Sequence, residues 1–306
     1  MPIEIRALQE RDLPEADRIF RLAFGTFLGL PDPMTFAAGA DLIGTRWRAP
    51  HHNDVFGAFD GDVLIGSNCV ANWGSFGFFG PLTIRPDFWN KGVARQLLEA
   101  TMSTFGRWST PHAGLFTFPH SPKHLALYQK FDFWPQRLTA LMAKPPAPKP
   151  PLLPAFTGSR EELLVQARDV TEAVFPGLDL GGEIASLLDQ QVGEIVTVLE
   201  GGRIAAFAIC HIGAGSEAGA GAAYLKFAAA RPGRAAAFKA LIGACEAVAA
   251  RRGAQVLLAG ANSSCHTAYR LLPEFGFRTQ ITGVAMQRGN SAGYLLPDAL
   301  VLSDWR

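Results

Sequence analysis

Two blocks of sequence recur in the same order in the two halves of this 306-residue chain. Residues 55–70 (VFGAFDGDVLIGSNCV) have the pattern of a strand, a tight turn and a second strand, and residues 196–212 repeat it around Gly201-Gly202. Further on, KFDFWPQRLTALMAK at 130–144 matches EFGFRTQITGVAMQR at 274–288. Because two separate blocks recur in the same order, the sequence predicts the duplication of one fold.

The spacing inside these blocks predicts which positions correspond. Phe133-x-x-Gln136 matches Phe277-x-x-Gln280 in the later block. In the earlier block, Cys69 lies six positions after Val63, and Cys210 lies six positions after Ile204. We therefore expect the two cysteines to occupy equivalent strand positions.

A proline-rich segment divides the chain. Residues 144–154 (KPPAPKPPLLP) contain six prolines, which fix φ and remove backbone donors, so an extended, semi-rigid segment is expected. We predict an N-terminal domain over residues 1–145, a linker over 146–154 and a C-terminal domain over 155–306.

Each half has the pattern helix, strand pair, strand, helix, strand, helix, strand. In the first half the helical periodicity begins after Asp12, a suitable N-cap, and a second helix is expected from about Asn90 to Phe105. A strand meander followed by strand–helix–strand connections predicts an α/β fold in each half, with a central mixed sheet flanked by helices.

Composition excludes several classes of protein. Hydrophobic residues make up 48% and charged residues 18% of the chain, which is typical of a globular protein. The net charge of +1 creates no field that would attract nucleic acid or an anionic membrane.

The first residues are too polar for a signal peptide and no apolar run is long enough to span a bilayer, so a cytoplasmic location is expected. The four cysteines lack the spacing of a zinc site or a disulfide framework, and we expect no metal.

The segment GPLTIRPDFWNKGVARQLLEA (80–100) predicts an anion site. It runs from the end of a strand through a polar turn into a helix, and Gly92 and Ala94 remove bulk where a phosphate would approach the backbone. Free amides and the positive end of the helix dipole favour an anion there. Lys91 and Arg95 add positive charge.

These features together resemble the GCN5-related N-acetyltransferase (GNAT) family, in a tandem two-domain form. Ile84-Arg85-Pro86 matches the family's strand end, Trp89-Asn90-Lys91-Gly92-Val93-Ala94 its Gln/Arg-x-x-Gly-x-Gly/Ala motif, and HSPKHLALYQKFDF (120–133) its later Leu-Tyr-x-Lys-x-Gly-Phe block. Trp89 replaces the usual Gln or Arg, and Asp132 replaces the usual Gly. With the duplication, the resemblance extends over nearly the whole chain.

The resemblance implies acetyl-CoA as cosubstrate. The backbone of Leu82 to Ile84 would pair with the pantetheine, and the first-turn amides from Asn90 to Ala94 would hold the pyrophosphate. Tyr128 would be the general acid that protonates the leaving thiolate. The cofactor-binding residues implied in this way are Leu82, Thr83, Ile84, Trp89, Asn90, Lys91, Gly92, Val93, Ala94 and Arg95.

No motif identifies the base that takes a proton from the attacking amine. His120, at the end of the strand that leads toward Tyr128, is the first candidate, and Asp54, His51 and His52 follow. The amine could also arrive neutral. The aromatic residues nearby are either a packed sheet face or the lining of a pocket for an apolar or aromatic amine; they are Trp73, Phe76, Phe78, Phe79, Phe88 and Trp89.

The second half lacks the glycine turn and the tyrosine of the first half. Its counterpart of the turn, PGRAAAFKALI (232–242), is shorter and has no glycine at the helix start, and Leu272 takes the position of the tyrosine. We therefore expect a degenerate copy that packs against the first half and shapes its acceptor site.

These observations favour an N-acetyltransferase that acts on a primary amine of a small-molecule or peptide acceptor by direct attack, as a monomer or a homodimer. The alternative is a non-catalytic acyl-CoA-binding sensor or scaffold. A hydrolase is not supported, because the sequence has no Gly-x-Ser-x-Gly motif.

Overall fold

Apart from an additional strand at the start of the first half and one at the end of the second, the two halves of the chain follow a similar order of elements in the computed structural model, which describes residues 2–147 and 156–303. The elements of the N-terminal half are β1 (Ile3–Ala7), α1 (Leu13–Phe27), α2 (Leu42–Trp47), β2 (Asn53–Asp60), β3 (Val63–Trp73), β4 (Phe76–Phe79), β5 (Thr83–Ile84), α3 (Val93–Trp108), β6 (His112–Thr117), α4 (Pro122–Gln129) and β7 (Phe133–Lys144). Those of the C-terminal half are α5 (Arg160–Val174), α6 (Gly181–Gln190), β8 (Gly193–Glu200), β9 (Arg203–Gly213), β10 (Gly219–Ala230), α7 (Ala235–Arg251), β11 (Val256–Asn262), α8 (His266–Glu274), β12 (Arg278–Arg288) and β13 (Val301–Ser303). The predicted mixed α/β class is confirmed.

The two halves share one continuous sheet. Its strand order is β1-β2-β3-β4-β6-β12-β7-β11-β10-β9-β8, with β5 paired to β3 and β13 to β10. β12, from the second half, pairs antiparallel with β6 of the first half, and β7, from the first half, pairs antiparallel with β11 of the second. Each half therefore inserts one long strand beside the other half's sheet. Most of the predicted linker, residues 148–154, lies outside the described residues.

Helices α1 and α3 cover opposite faces of this sheet. Leu64 and Cys69 of β3 pack with α1, whereas Ile65, which points the other way, packs with α3. In the ranges that the structure describes, no helix combines the length and apolarity needed to cross a membrane.

The expected equivalence of Cys69 and Cys210 is wrong by one residue. Each hairpin has a two-residue turn, and Val63 pairs with Asp60 as Arg203 pairs with Glu200. Val63 therefore corresponds to Arg203, and Cys69 corresponds to Ile209. Because strand side chains alternate, this shift places the two thiols on opposite faces of their strands.

Buried charges connect the two halves. Arg46 of α2 donates to Glu217 in the β9–β10 connection (2.8 Å), and Lys226 of β10 donates to Glu217 (2.6 Å) and to Glu183 of α6 (2.8 Å). Glu183 also accepts from the Trp73 indole (2.9 Å). Burial alone would raise the pKa of Glu217, but the Arg46 and Lys226 charges outweigh it and hold this pKa well below its usual range.

We expect Glu217→Ala to lower the free energy of unfolding by about 3–5 kcal/mol, because it leaves the Arg46 and Lys226 charges buried without this carboxylate. Glu99→Ala is the matched control: it removes an exposed carboxylate paired with Arg95 (2.9 Å) and should cost about 0–1 kcal/mol. Denaturant unfolding measures both. Equal losses in the two variants would contradict the structural role given to the buried network.

Candidate active site

The cavity of this fold opens where two neighbouring strands part. β4 pairs in parallel with β6 from Phe76 to Phe78, and the chain then turns back to β3 through β5. A cavity of about 820 Å³ lies along this opening, within the size range of small-molecule sites.

One edge of the cavity is backbone. Thr83 pairs with Ser67, and the Arg85 amide donates to the Ile65 carbonyl (2.8 Å), so these residues direct their backbone groups toward β3. Backbone groups alternate along an antiparallel strand, so Leu82 and Ile84 direct theirs away from β3, toward the cavity that both residues line. The backbone groups of Leu82 and Ile84 thus face the cavity, where a ligand could pair with them. The backbone of Thr83 pairs with β3 instead, and its hydroxyl lies 3.0 Å from that of Ser67.

The turn before α3 has the geometry expected of an anion site. Asn90 and Gly92 have φ of 67° and 80°, and no side chain caps the helix. The first-turn amides of a helix have no acceptor within the helix, so those of Val93, Ala94 and Arg95 are available. A Cβ added at Gly92 would meet no atom within 4 Å, which shows that the space beside the turn is open.

Three cations line the same cavity: Arg95 on α3, and Lys123 and Lys130 on or next to α4. The side chain of Lys91 lies instead over the Phe88 ring, 4.5 Å from its centroid. Trp89 lines the cavity and donates its indole N–H to the Ile84 carbonyl (2.7 Å).

Tyr128 lies on α4 in the wall of the cavity and is 8% exposed. Its ring packs against Phe79, with the centroids 5.8 Å apart. Burial raises the pKa of the phenol well above 10, although a hydrogen bond with the Thr117 side chain opposes this. The phenol therefore keeps its proton at neutral pH.

The structure separates the candidate bases. His120 is exposed, stacks on Phe27 (centroids 5.6 Å apart) and is not among the residues that line the cavity. The other candidates also lie outside the lining: His52 is buried 3.6 Å from Glu183, and Asp54 pairs with Arg107. His51, the remaining candidate, is exposed.

His124 was not among the candidates, yet it lines the cavity. It precedes Tyr128 by four residues on α4, so the two side chains lie on the same face of the helix. Burial, with Lys123 and His120 nearby, lowers the pKa of His124 below 6.5. The imidazole is therefore neutral at pH 7. Its i,i+4 spacing from Tyr128 was the available sequence signal.

Six phenylalanines line the part of the cavity between α1 and β6, and we call this part the aromatic chamber; they are Phe20, Phe24, Phe27, Phe36, Phe116 and Phe118. The six aromatic residues grouped together from the sequence lie in two different places. Trp73, Phe76 and Phe78 are buried in the main core, whereas Phe79, Phe88 and Trp89 line the cavity.

The second half completes the chamber. Leu258 of β11 and Ile281 of β12 line it, as do Glu217 and Ala218 of the β9–β10 connection. Leu258 and Ile281 reach the cavity because β11 and β12 lie beside strands of the first half. Among the described residues, no cluster of three or more His, Cys, Asp or Glu side chains could hold a metal ion.

Comparison with known proteins agrees with this geometry. Residues 18–133 match the model of the acetyltransferase (GNAT) family. The N-terminal half is a GNAT domain. No curated protein sequence matches the chain.

The whole chain has the tandem GNAT fold. A tandem GNAT protein from the clavulanic acid biosynthesis pathway is 12% identical, with a TM-score of 0.57 over 95% of this chain and 100% of that one. A GCN5-related N-acetyltransferase from Sphaerobacter thermophilus is 17% identical, with a TM-score of 0.58 over 94% and 96%. A Pyrococcus horikoshii protein is 13% identical, with a TM-score of 0.69 over 97% and 93%. At these identities the likeness shows the fold alone.

In the second half, which is GNAT-like, β13 occupies the place that the cavity has in the first half. Arg231 donates its amide to the Ala205 carbonyl (2.9 Å), as Arg85 does to Ile65, so Ala228 and Ala230 correspond to Leu82 and Ile84. β13 pairs with this edge: Ala228 lies opposite Leu302, and the Ala230 amide donates to the Leu300 carbonyl (3.0 Å). Leu272, at the tyrosine position, is buried in the core.

We expect calorimetric titration with CoA to find a single site per chain, because β13 already pairs with the edge that corresponds to Leu82 and Ile84. Ala94→Glu, which places a carboxylate in the first turn of α3, should abolish the binding heat. Ala236→Glu, the matched change in the first turn of α7, should leave the heat unchanged, since Ala236 is exposed. Two sites per chain, or loss of binding in Ala236→Glu, would contradict this expectation.

Proposed function

We propose that the N-terminal half is an acetyl-CoA-dependent N-acetyltransferase that acts on a primary amine. The observation that carries this proposal is one cavity lined by three features at once. These are the backbone edge at Leu82 and Ile84, the turn at Gly92 and the phenol of Tyr128.

The shape of the cavity suits a molecule with a pantetheine arm and a pyrophosphate. The arm's amides would pair with the backbone of Leu82 and Ile84, as a neighbouring strand does. The pyrophosphate would accept from the first-turn amides of α3, where the open space beside Gly92 admits it. Arg95, Lys123 and Lys130 would supply the opposite charge.

The reaction that this arrangement supports is direct transfer. The amine nitrogen attacks the thioester carbonyl carbon and forms a tetrahedral intermediate, and the C–S bond then breaks. Tyr128 donates its proton to the departing thiolate, a base takes the proton that the amine nitrogen releases, and this base returns a proton to the phenolate. The raised pKa keeps the Tyr128 phenol protonated before the reaction, and a proton donor has to be in this state.

His124 is the better-supported acceptor for the amine's proton. It lines the cavity one helical turn from Tyr128 and is neutral at pH 7, so a ring nitrogen has a lone pair to receive a proton. His120, the candidate from sequence, is exposed and lies outside the lining. The acid and the proposed base thus lie on the same face of α4.

We expect Tyr128→Phe to lower kcat about 10²-fold, because it removes the proton donor and keeps the ring packed on Phe79. The affinity for CoA should stay near that of the parent, and the loss of one hydrogen bond should lower the free energy of unfolding by about 1 kcal/mol. Acetyl transfer to a panel of primary amines, followed by thiol release, measures the rate. Tight CoA binding without any turnover in the parent would favour the non-catalytic binding protein instead.

We expect His124→Gln to lower kcat about 10²-fold at pH 7 and His120→Gln, on the exposed side, to leave it nearly unchanged. The parent should keep its rate down to a pH below 6.5, because the lowered pKa of His124 keeps the imidazole neutral to more acid pH. His124→Gln should lose this acid limb of the kcat profile. A larger loss of kcat in His120→Gln than in His124→Gln would instead identify His120 as the base.

A further inference from the structure

We propose that the acceptor is an amine carried on an aromatic or bulky apolar body, and that the aromatic chamber receives this body. The inference rests on the proposed function, since it assigns the rest of the same cavity. It names the class of acceptor, a primary arylalkylamine, which neither the family match nor the fold specifies.

The phenylalanine rings of the chamber contact one another in a continuous series. Phe24 stacks on Phe36 with the centroids 5.2 Å apart, and both make edge contacts with Phe20 (5.4 Å). Phe118 connects Phe24 (6.4 Å) with Phe27 (5.3 Å). Phe24, Phe27 and Phe36 are only half-buried, and all three line the cavity. Exposed apolar area of this kind is unfavourable in water and favours an apolar occupant.

Among the described residues that line the chamber, none carries an uncommitted charge for a polar acceptor. Its carboxylate, Glu217, already accepts from Arg46 (3.1 and 2.8 Å) and from Lys226 (2.6 Å). The cations that line the cavity lie on or next to α3 and α4, on the side proposed for the cofactor. A polyamine or a sugar amine would therefore lose hydration in the chamber without gaining an ionic partner.

The second half contributes to the lining of the aromatic chamber. Leu258 and Ile281 add apolar side chains to it. Gly283, on β12, leaves room for Phe116: a Cβ at this glycine would come within 2.1 Å of the Phe116 ring. The ring therefore lies over β12, held between the two halves.

The chamber is also placed for transfer. It belongs to the same cavity as Tyr128 and His124, and His124 lies against Phe27, with the ring centroids 5.0 Å apart. An amine whose ring occupies the chamber would extend its nitrogen past His124 toward the thioester. The proposed base thus lies at the border between the chamber and the reaction centre.

The test compares 2-phenylethylamine and tryptamine with ethanolamine and putrescine, using acetyl-CoA and the full chain. We expect kcat/KM to be about tenfold to a hundredfold higher for the aromatic amines, the range for burying one large apolar group. Phe36→Ala and Phe27→Ala should each reduce that preference about tenfold and leave the KM for acetyl-CoA unchanged. Phe175→Ala, a half-buried phenylalanine outside the cavity, is the matched control.

Three results would overturn the inference and leave the proposed function standing. The first is a preference for the polar amines, and the second is a preference for aromatic amines that both chamber variants retain. The third is octanoyl-CoA binding more tightly than acetyl-CoA with Phe36→Ala removing the difference, which would make the chamber an acyl site. If no amine is acetylated and CoA does not bind, the proposed function fails. Calorimetry with 2-phenylethylamine alone then tests the ligand class of the chamber separately: binding that Phe36→Ala weakens supports an aromatic-amine site, and absence of binding overturns it.

Discussion

A strand that leaves its neighbour exposes backbone N–H and C=O groups, and these groups require partners. Both halves of this chain contain such a parting, after β4 in the first and within β10 in the second. In the second half the chain supplies the partner itself, because β13 pairs with the edge at Ala228 and Ala230. In the first half the edge at Leu82 and Ile84 borders a cavity. The same backbone constraint thus produces a filled edge in one copy and a ligand-accessible edge in the other.

The second half is nonetheless part of the site. The exchange of β7 and β12 joins the sheets, so that Ile281 and Leu258 reach the chamber of the other half. The buried network around Glu217 holds the β9–β10 connection against α2. The second half, which has Leu272 where the first half has Tyr128, therefore contributes to the lining of the first half's cavity.

Local signals in the sequence were sufficient for the repeated blocks and for the placement of Tyr128 on a helix, because each block is read from residues that are close in the chain. The helix expected from about Asn90 begins three residues later, at Val93, because Asn90 and Gly92 have positive φ and belong to the turn before it. The strand exchange and the pairing of β13 were not predictable in this way. β13 is three residues long, VLS, and its partner lies about seventy positions earlier. The offset of the cysteines depends on the hairpin register, which the spacing of like residues does not reveal. His124 was missed because its burial comes from tertiary packing of α4, whereas His120 had only its position in the motif to favour it.

The two departures from the family motif are consistent with the function proposed for the site. Trp89 still provides an N–H donor, and it uses this donor to tie the turn to β5 at the Ile84 carbonyl. A carbonyl oxygen has two lone pairs, so this oxygen can accept a second bond from a ligand amide. Asp132 replaces a glycine at a position with φ of 67°, a region that Asp and Asn enter more readily than most residues. Its carboxylate accepts from the Trp134 indole (2.7 Å), which helps to hold the turn that follows Tyr128. Both substitutions thus preserve the backbone path on which the cavity depends.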